Sequence, residues 1–277
     1  MDIAQHNRGA FSAARIVGDY GAQFVSATGF LDAGERAALL WVAEVCRVRP
    51  ILDVGVGAGR TTGMLRLLSD RYLAVDYSSA MLDEFRTHHP GFEAECLDAR
   101  DLTALSGRDF GLIMFSNNGI DSLAHDDRIV ALAQFADHLE HDGRIVFSTL
   151  NRYGPSFGEH PGQLHRPTRP IDRSPRAIAT AVARRVLRPS SLVRAIRNWR
   201  AADAARTDNG QWAIGPLAAH DYGLIVHFTT LDDITASLTA AGLRAEAIFA
   251  TDGRLLHAGD ETTGVDNFTV VAAHLDG

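Results

Sequence analysis

Residues 51–61, Ile-Leu-Asp-Val-Gly-Val-Gly-Ala-Gly-Arg-Thr, restrict the fold more than any other stretch of the chain. Ile51 to Val54 is a short apolar run suited to a buried strand, and three glycines spaced by two follow it. From Thr61 the large apolar residues Met64, Leu65, Leu67 and Leu68 recur at helical spacing. A strand that turns through glycines into a helix brings backbone N–H groups and a positive helix end close to a ligand. Glycine tolerates positive φ there and leaves no Cβ between backbone and ligand. The spacing predicts a nucleoside-cofactor site.

The flanking sequence repeats the strand–helix rhythm. Asp32-Ala33-Gly34-Glu35 has the acid-x-x-Glu pattern of a helix start, with Leu39, Leu40, Val42, Ala43 and Cys46 supplying the apolar face. Strands are expected at Tyr72–Asp76, Phe92–Leu97, Phe110–Ser116 and Arg144–Leu150. Helices are expected from Ser79, capped by Ser78, and across Ile129–Leu139. The pattern resumes with a helix over Thr230–Ala241 and extended segments at Leu243–Ala250 and Phe268–Ala273. Such alternation predicts a doubly wound, mostly parallel α/β sheet covered on both faces.

Three segments follow from this reading: an N-terminal cover over residues 1–31, a main domain from 32–151 and 229–277, and a helical lid inserted at 152–228. Residues 152–206 hold twelve arginines against Glu159, Asp172 and Asp203. That is a net of +9 in a chain of −7, so the rest carries −16. All 27 cationic residues are arginine. A basic insert in an acidic protein suits either an anionic ligand or a solvated helical face. Cys46 and Cys96 both sit among apolar neighbours and read as core thiols. No apolar run approaches a membrane span, and the first residues lack a signal-peptide core, so a cytoplasmic protein without a membrane partner is expected.

Two nucleotide-binding patterns fail on inspection. A dinucleotide turn needs a third glycine where Arg60 stands, and a phosphate-binding P-loop needs a lysine. The sequence instead resembles the class I S-adenosylmethionine-dependent methyltransferases. Asp53-Val54-Gly55-Val56-Gly57-Ala58-Gly59 is similar to that family's first motif. Asp76 stands where a family acid takes both ribose hydroxyls, a task suited to two acceptor oxygens. Asp98-Ala99-Arg100 matches the position that holds the adenine amino group, and Ser116-Asn117-Asn118 the segment beneath the methionine portion. The resemblance spans roughly residues 35–151 and 229–274. It implies a seven-stranded Rossmann-like fold, S-adenosylmethionine as cofactor and S-adenosylhomocysteine as product.

Alternatives stay open at single residues. Asp76 could cap the helix after Ser78, and Tyr77 and Met81 either flank the adenine or belong to the core. Tyr20 is a candidate for closing over the cofactor. For the acceptor pocket or a base the candidates are His220, Tyr222 and His165. No metal is expected, because Glu159, His160 and His165 have no second cluster at ligand spacing. The segment after the fourth strand departs from the Asn/Asp-Pro-Pro-Tyr/Phe of amide methylases, which argues against DNA bases. The expected acceptor is a small metabolite or natural-product intermediate, methylated on O or N and carrying an anionic group. RNA or peptide methylation, and cofactor binding without catalysis, are the competing readings.

Overall fold

The computed structural model describes residues 2–12, 31–161 and 189–276. Tyr20 and His165 lie outside them.

The central sheet contains eight strands in the order β10-β9-β11-β5-β4-β1-β2-β3. Strands β1 (Ile51–Val54), β2 (Tyr72–Asp76), β3 (Glu93–Cys96), β4 (Phe110–Phe115) and β5 (Leu139–Leu150) run parallel. β9 (Leu243–Ala250) and β11 (Asn267–His274) close the other edge antiparallel, and the two-residue β10 (Leu255–Leu256) pairs with β9. Seven strands were expected; β10 is the eighth, too short to show a period. β5 also starts earlier than Arg144, because its pairing with β4 jumps from Phe110↔Leu139 to Leu112↔Arg144. Residues 140–143 bulge between those two registers.

Alternation along the buried strands sorts side chains onto two layers. Leu52, Val54, Leu73, Val75, Ile113, Phe115, Ile145 and Phe147 meet α5 (His125–Asp137) and α7 (Leu231–Ala240) on one face. Ile51, Ala74, Leu112, Met114 and Val146 meet α2 (Ala33–Cys46), α3 (Thr62–Leu68) and α4 (Ser79–His88) on the other. The cap signals hold: Asp32 and Glu35 form a reciprocal capping box, and Ser78 accepts the Met81 N–H. Cys46 is buried as expected, whereas Cys96 is exposed because β3 is the sheet edge.

The insertion after β5 is part helix and part sheet rather than helical throughout. α6 (Pro189–Asp203) leads into an antiparallel sheet of β6 (Thr207–Asp208), β7 (Ala213–Leu217) and β8 (Leu224–Phe228). The insertion's sparse large apolar residues suffice because this small sheet shares its cores with other elements. Ile214 and Ile225 pack with Ile3 and Ala202. Leu224, Val226 and Phe228 pack with Leu150, Ala10 and Phe11. Helix α1 (Ile3–Phe11) thus packs against the inserted sheet.

Candidate functional site

At the C-terminal ends of the parallel strands lies a cavity of about 760 Å³. Of the candidate cofactor residues, Gly55, Gly57, Asp76, Tyr77, Met81, Asp98, Ala99, Ser116, Asn117 and Asn118 all line it. Gly55, Gly57 and Gly59 all have positive φ, at +62°, +55° and +91°. A Cβ on Gly55 would stand 2.6 Å from the Phe115 ring, while one on Gly57 would meet nothing within 4 Å. The space at Gly57 opens toward the cavity, which is the approach a nucleoside needs.

Asp76 ends β2 beside that glycine. Its Oδ2 accepts the Gly57 N–H at 2.9 Å and its Oδ1 accepts the Ser78 N–H at 2.8 Å. Each oxygen retains lone-pair capacity for a ribose hydroxyl. Burial pushes its pKa up to about 6 against those two backbone donors. Asp98 shows the reverse balance. Partial burial raises it, but Arg100 donates to both of its oxygens, at 3.0 and 2.8 Å, and holds it below the usual carboxylate range. Arg100 is itself braced by Asp127 at 2.9 Å.

Four candidates stand off the cavity wall. Asp53 is wholly buried beneath the loop, where Oδ2 accepts from Thr61 Oγ1 at 2.8 Å and from Tyr72 Oη at 2.7 Å. It shapes the turn rather than facing a ligand, and burial raises its pKa to about 6. Gly59 faces His89 and Phe85, so its glycine serves helix packing. Arg100 holds Asp98 from behind. Tyr222 is buried outside the lining, whereas its neighbour His220 lines the cavity.

Reading along the chain missed the strut behind this wall. Glu35, 2% exposed, receives both terminal nitrogens of Arg60, at 2.7 and 2.5 Å, and the backbone N–H of Asn117 at 3.1 Å. One buried carboxylate therefore links α2, the glycine loop and the segment after β4. Arg60 in place of a spacing glycine was the visible signal. Asn117 and Asn118 both adopt left-handed φ, +54° and +57°, which asparagine tolerates. Asn118 Oδ1 is buried with no hydrogen-bond partner among the described residues, an acceptor left for a ligand donor.

The remaining wall is mostly apolar: Phe11 from α1, Leu150 from β5, Leu217 from β7, and Leu224 and Val226 from β8. His220, Asp221 and Tyr222 occupy three consecutive left-handed positions, with φ of +54°, +57° and +59°. Such a run in non-glycine residues is costly and needs outside support. Arg194 supplies it by donating to Asp221 Oδ2 at 2.8 Å, and Asn198 by donating to the Asp221 carbonyl at 3.1 Å. Phe11 meets the His220 ring edge-on, with centroids 6.3 Å apart. The described lining contains three aspartates and no arginine. Of the described insert arginines, Arg152, Arg194 and Arg206 pair with Asp208, Asp221 and Asp203.

A parallel sheet in this order, with a glycine loop and acid-tipped β2 and β3 at one cavity, defines a class I methyltransferase fold. Residues 51–143 match the family model described as a methyltransferase domain. No curated protein matches the sequence. Among solved structures, the CcbJ methyltransferase from Streptomyces caelestis is similar at 18% identity and TM-score 0.56, covering 93% of this chain and 96% of its own. The 1,6-didemethyltoxoflavin-N1-methyltransferase of Burkholderia thailandensis, solved with its substrate and S-adenosylhomocysteine, aligns at 14% identity and TM-score 0.57 over 98% and 88%. The glycopeptide N-methyltransferase MtfA with S-adenosylhomocysteine aligns at 16% and 0.52 over 95% and 98%.

Proposed function

We propose that this protein transfers the methyl group of S-adenosylmethionine to an O or N atom of a small metabolite or natural-product intermediate. One observation carries the proposal: the acid-and-glycine wall and the apolar chamber under the lid are parts of a single cavity. When bound, the cofactor supplies an electrophilic methyl, so the protein's work is alignment and exclusion of water. Asp76 would accept the ribose hydroxyls, Asp98 the adenine amino group, and Asn118 Oδ1 a donor of the methionine portion. Phe11, Leu217, Leu224 and Val226 shield the acceptor from solvent. His220 is the ring nitrogen base on this wall that can take a proton from the acceptor, held in place by its braced left-handed turn.

The described wall favours a neutral, largely apolar acceptor over the anionic one suggested by the arginine count. Thermal denaturation with S-adenosylhomocysteine, followed by methyl transfer from labelled S-adenosylmethionine to matched neutral and anionic aromatic amines and phenols, tests both parts. Stabilisation by the product cofactor with faster transfer to neutral acceptors is expected. Absence of any thermal shift would remove the proposal, and equal labelling of a peptide or RNA would remove the small-molecule part.

A further inference from the structure

On the face of the lid sheet turned away from the cavity, three metal-ligating side chains arrive from three separate elements. His227 lies in β8, His125 opens α5, and Asp233 sits in the first turn of α7. His125 Nδ1 is 3.2 Å from His227 Nε2 and 3.9 Å from Asp233 Oδ1. One donor atom from each residue lies within 4.8 Å of the other two. The sequence gives no hint of this cluster, since 102 residues separate the histidines.

Asp233 brings a buried carboxylate to the two imidazoles, and the Arg128 guanidinium also acts on His227. Asp233 is buried, and its one ion-pair partner among the described residues is His125. Its other oxygen accepts from Thr229 Oγ1 at 2.6 Å, and its N–H donates to Thr230 Oγ1. That is the outer-layer support a ligating carboxylate ordinarily has. His125 keeps 20% of its side chain exposed, which leaves a path from solvent. The indole of Trp212 stacks on both imidazoles, at 4.4 and 5.5 Å between centroids.

Two nitrogens bound tetrahedrally at the usual zinc–nitrogen length lie about 3.3 Å apart. The imidazoles already stand at nearly that separation. Asp233 Oδ1 must close by roughly half an ångström to reach the same separation.

We propose that His125, His227 and Asp233 form a binding site for a divalent transition-metal ion of zinc's class, remote from the reacting groups. Two imidazoles and one carboxylate match zinc's ligand preference and leave a fourth position for water. The ion staples the lid sheet to two helices of the main domain, while the opposite face of the same strand presents Leu224 and Val226 to the cavity. His227 Nδ1 has no hydrogen-bond partner among the described residues, so the outer bond that strengthens a histidine ligand is missing.

The test is calorimetric titration of the metal-free full chain with zinc chloride. The wild type takes up one equivalent. His125→Ala and Asp233→Asn each weaken uptake by about tenfold or more, while His141→Ala, at an exposed histidine outside the cluster, does not. Cobalt(II) gives the visible bands of a tetrahedral nitrogen–oxygen site and quenches Trp212. No zinc uptake by the wild type, or undiminished uptake by both cluster variants, overturns the proposal and leaves a hydrogen-bonded histidine pair.

Discussion

Asp76 carries the sharpest consequence at the level of single residues. With its pKa raised to about 6 by burial, it is ionised at neutral pH and protonated below that value. Ribose hydroxyls donate to the ionised form, so cofactor affinity is expected to fall as pH drops through about 6. The loss approaches tenfold per unit, because binding must then release one proton. Asp76→Asn should bind weakly with a flat pH profile, and Asp76→Ala should abolish the thermal shift given by S-adenosylhomocysteine. Titrations between pH 5 and 8, in the range bracketing that pKa, check both. His220 gives a second prediction. If it takes the acceptor proton, His220→Ala lowers kcat by about 10²- to 10⁴-fold and leaves S-adenosylhomocysteine affinity unchanged. His220→Gln keeps a polar side chain but does not restore the rate.

Among the elements, the buried pair Arg128–Asp121 ties α5 to the segment after β4 and to β5. Asp121 accepts from Arg128, from Thr149 Oγ1 at 2.6 Å and from the Leu150 N–H at 2.7 Å, and both charged residues are at most 2% exposed. Removing one partner strands a buried charge, so Arg128→Met is expected to cost about 3–5 kcal/mol. Urea unfolding of wild type and variant measures it. Asp121→Asn combined with Arg128→Met should recover part of the loss, because no buried charge then remains. Helix positions, caps and strand ends were legible because they depend on neighbours within a few residues: Ser78 caps α4, and Asp32 boxes with Glu35. The Arg128 pair was not legible, since nothing in the local pattern distinguishes a buried arginine from a solvated one.

Across the whole molecule, α1 joins the inserted sheet to the segment after β4. Asn7 is fully buried; it donates to the Ile225 carbonyl at 2.7 Å and accepts the Ile225 N–H at 3.1 Å, so its amide pairs with β8 as a strand would. Arg8 donates to the Tyr77 carbonyl and its guanidinium lies 5.3 Å from the Tyr77 ring centre. Asn7→Ala leaves both Ile225 backbone groups unpaired and is expected to destabilise the fold by about 1–3 kcal/mol. Because Phe11 and Arg8 sit over the cofactor wall, the same variant should weaken S-adenosylhomocysteine binding. Calorimetry at a temperature where the variant stays folded separates the two effects.

The sequence by itself determined the α/β rhythm, the glycine turn after β1 and the acids at the tips of β2 and β3. These depend on short-range periodicity and on backbone geometry that only certain residues allow. Tertiary structure alone decided which of the motif's acids faces the cavity and which lies beneath it. Asp53 lies inside β1 and is sealed under Thr61 and Tyr72, while Asp76 ends β2 and reaches the wall. It likewise decided that Arg152, Arg194 and Arg206 pair with the insert's own aspartates, and that His220 rather than Tyr222 lines the chamber. Those outcomes turn on contacts between residues far apart in the chain, and on burial that gives two identical side chains different roles.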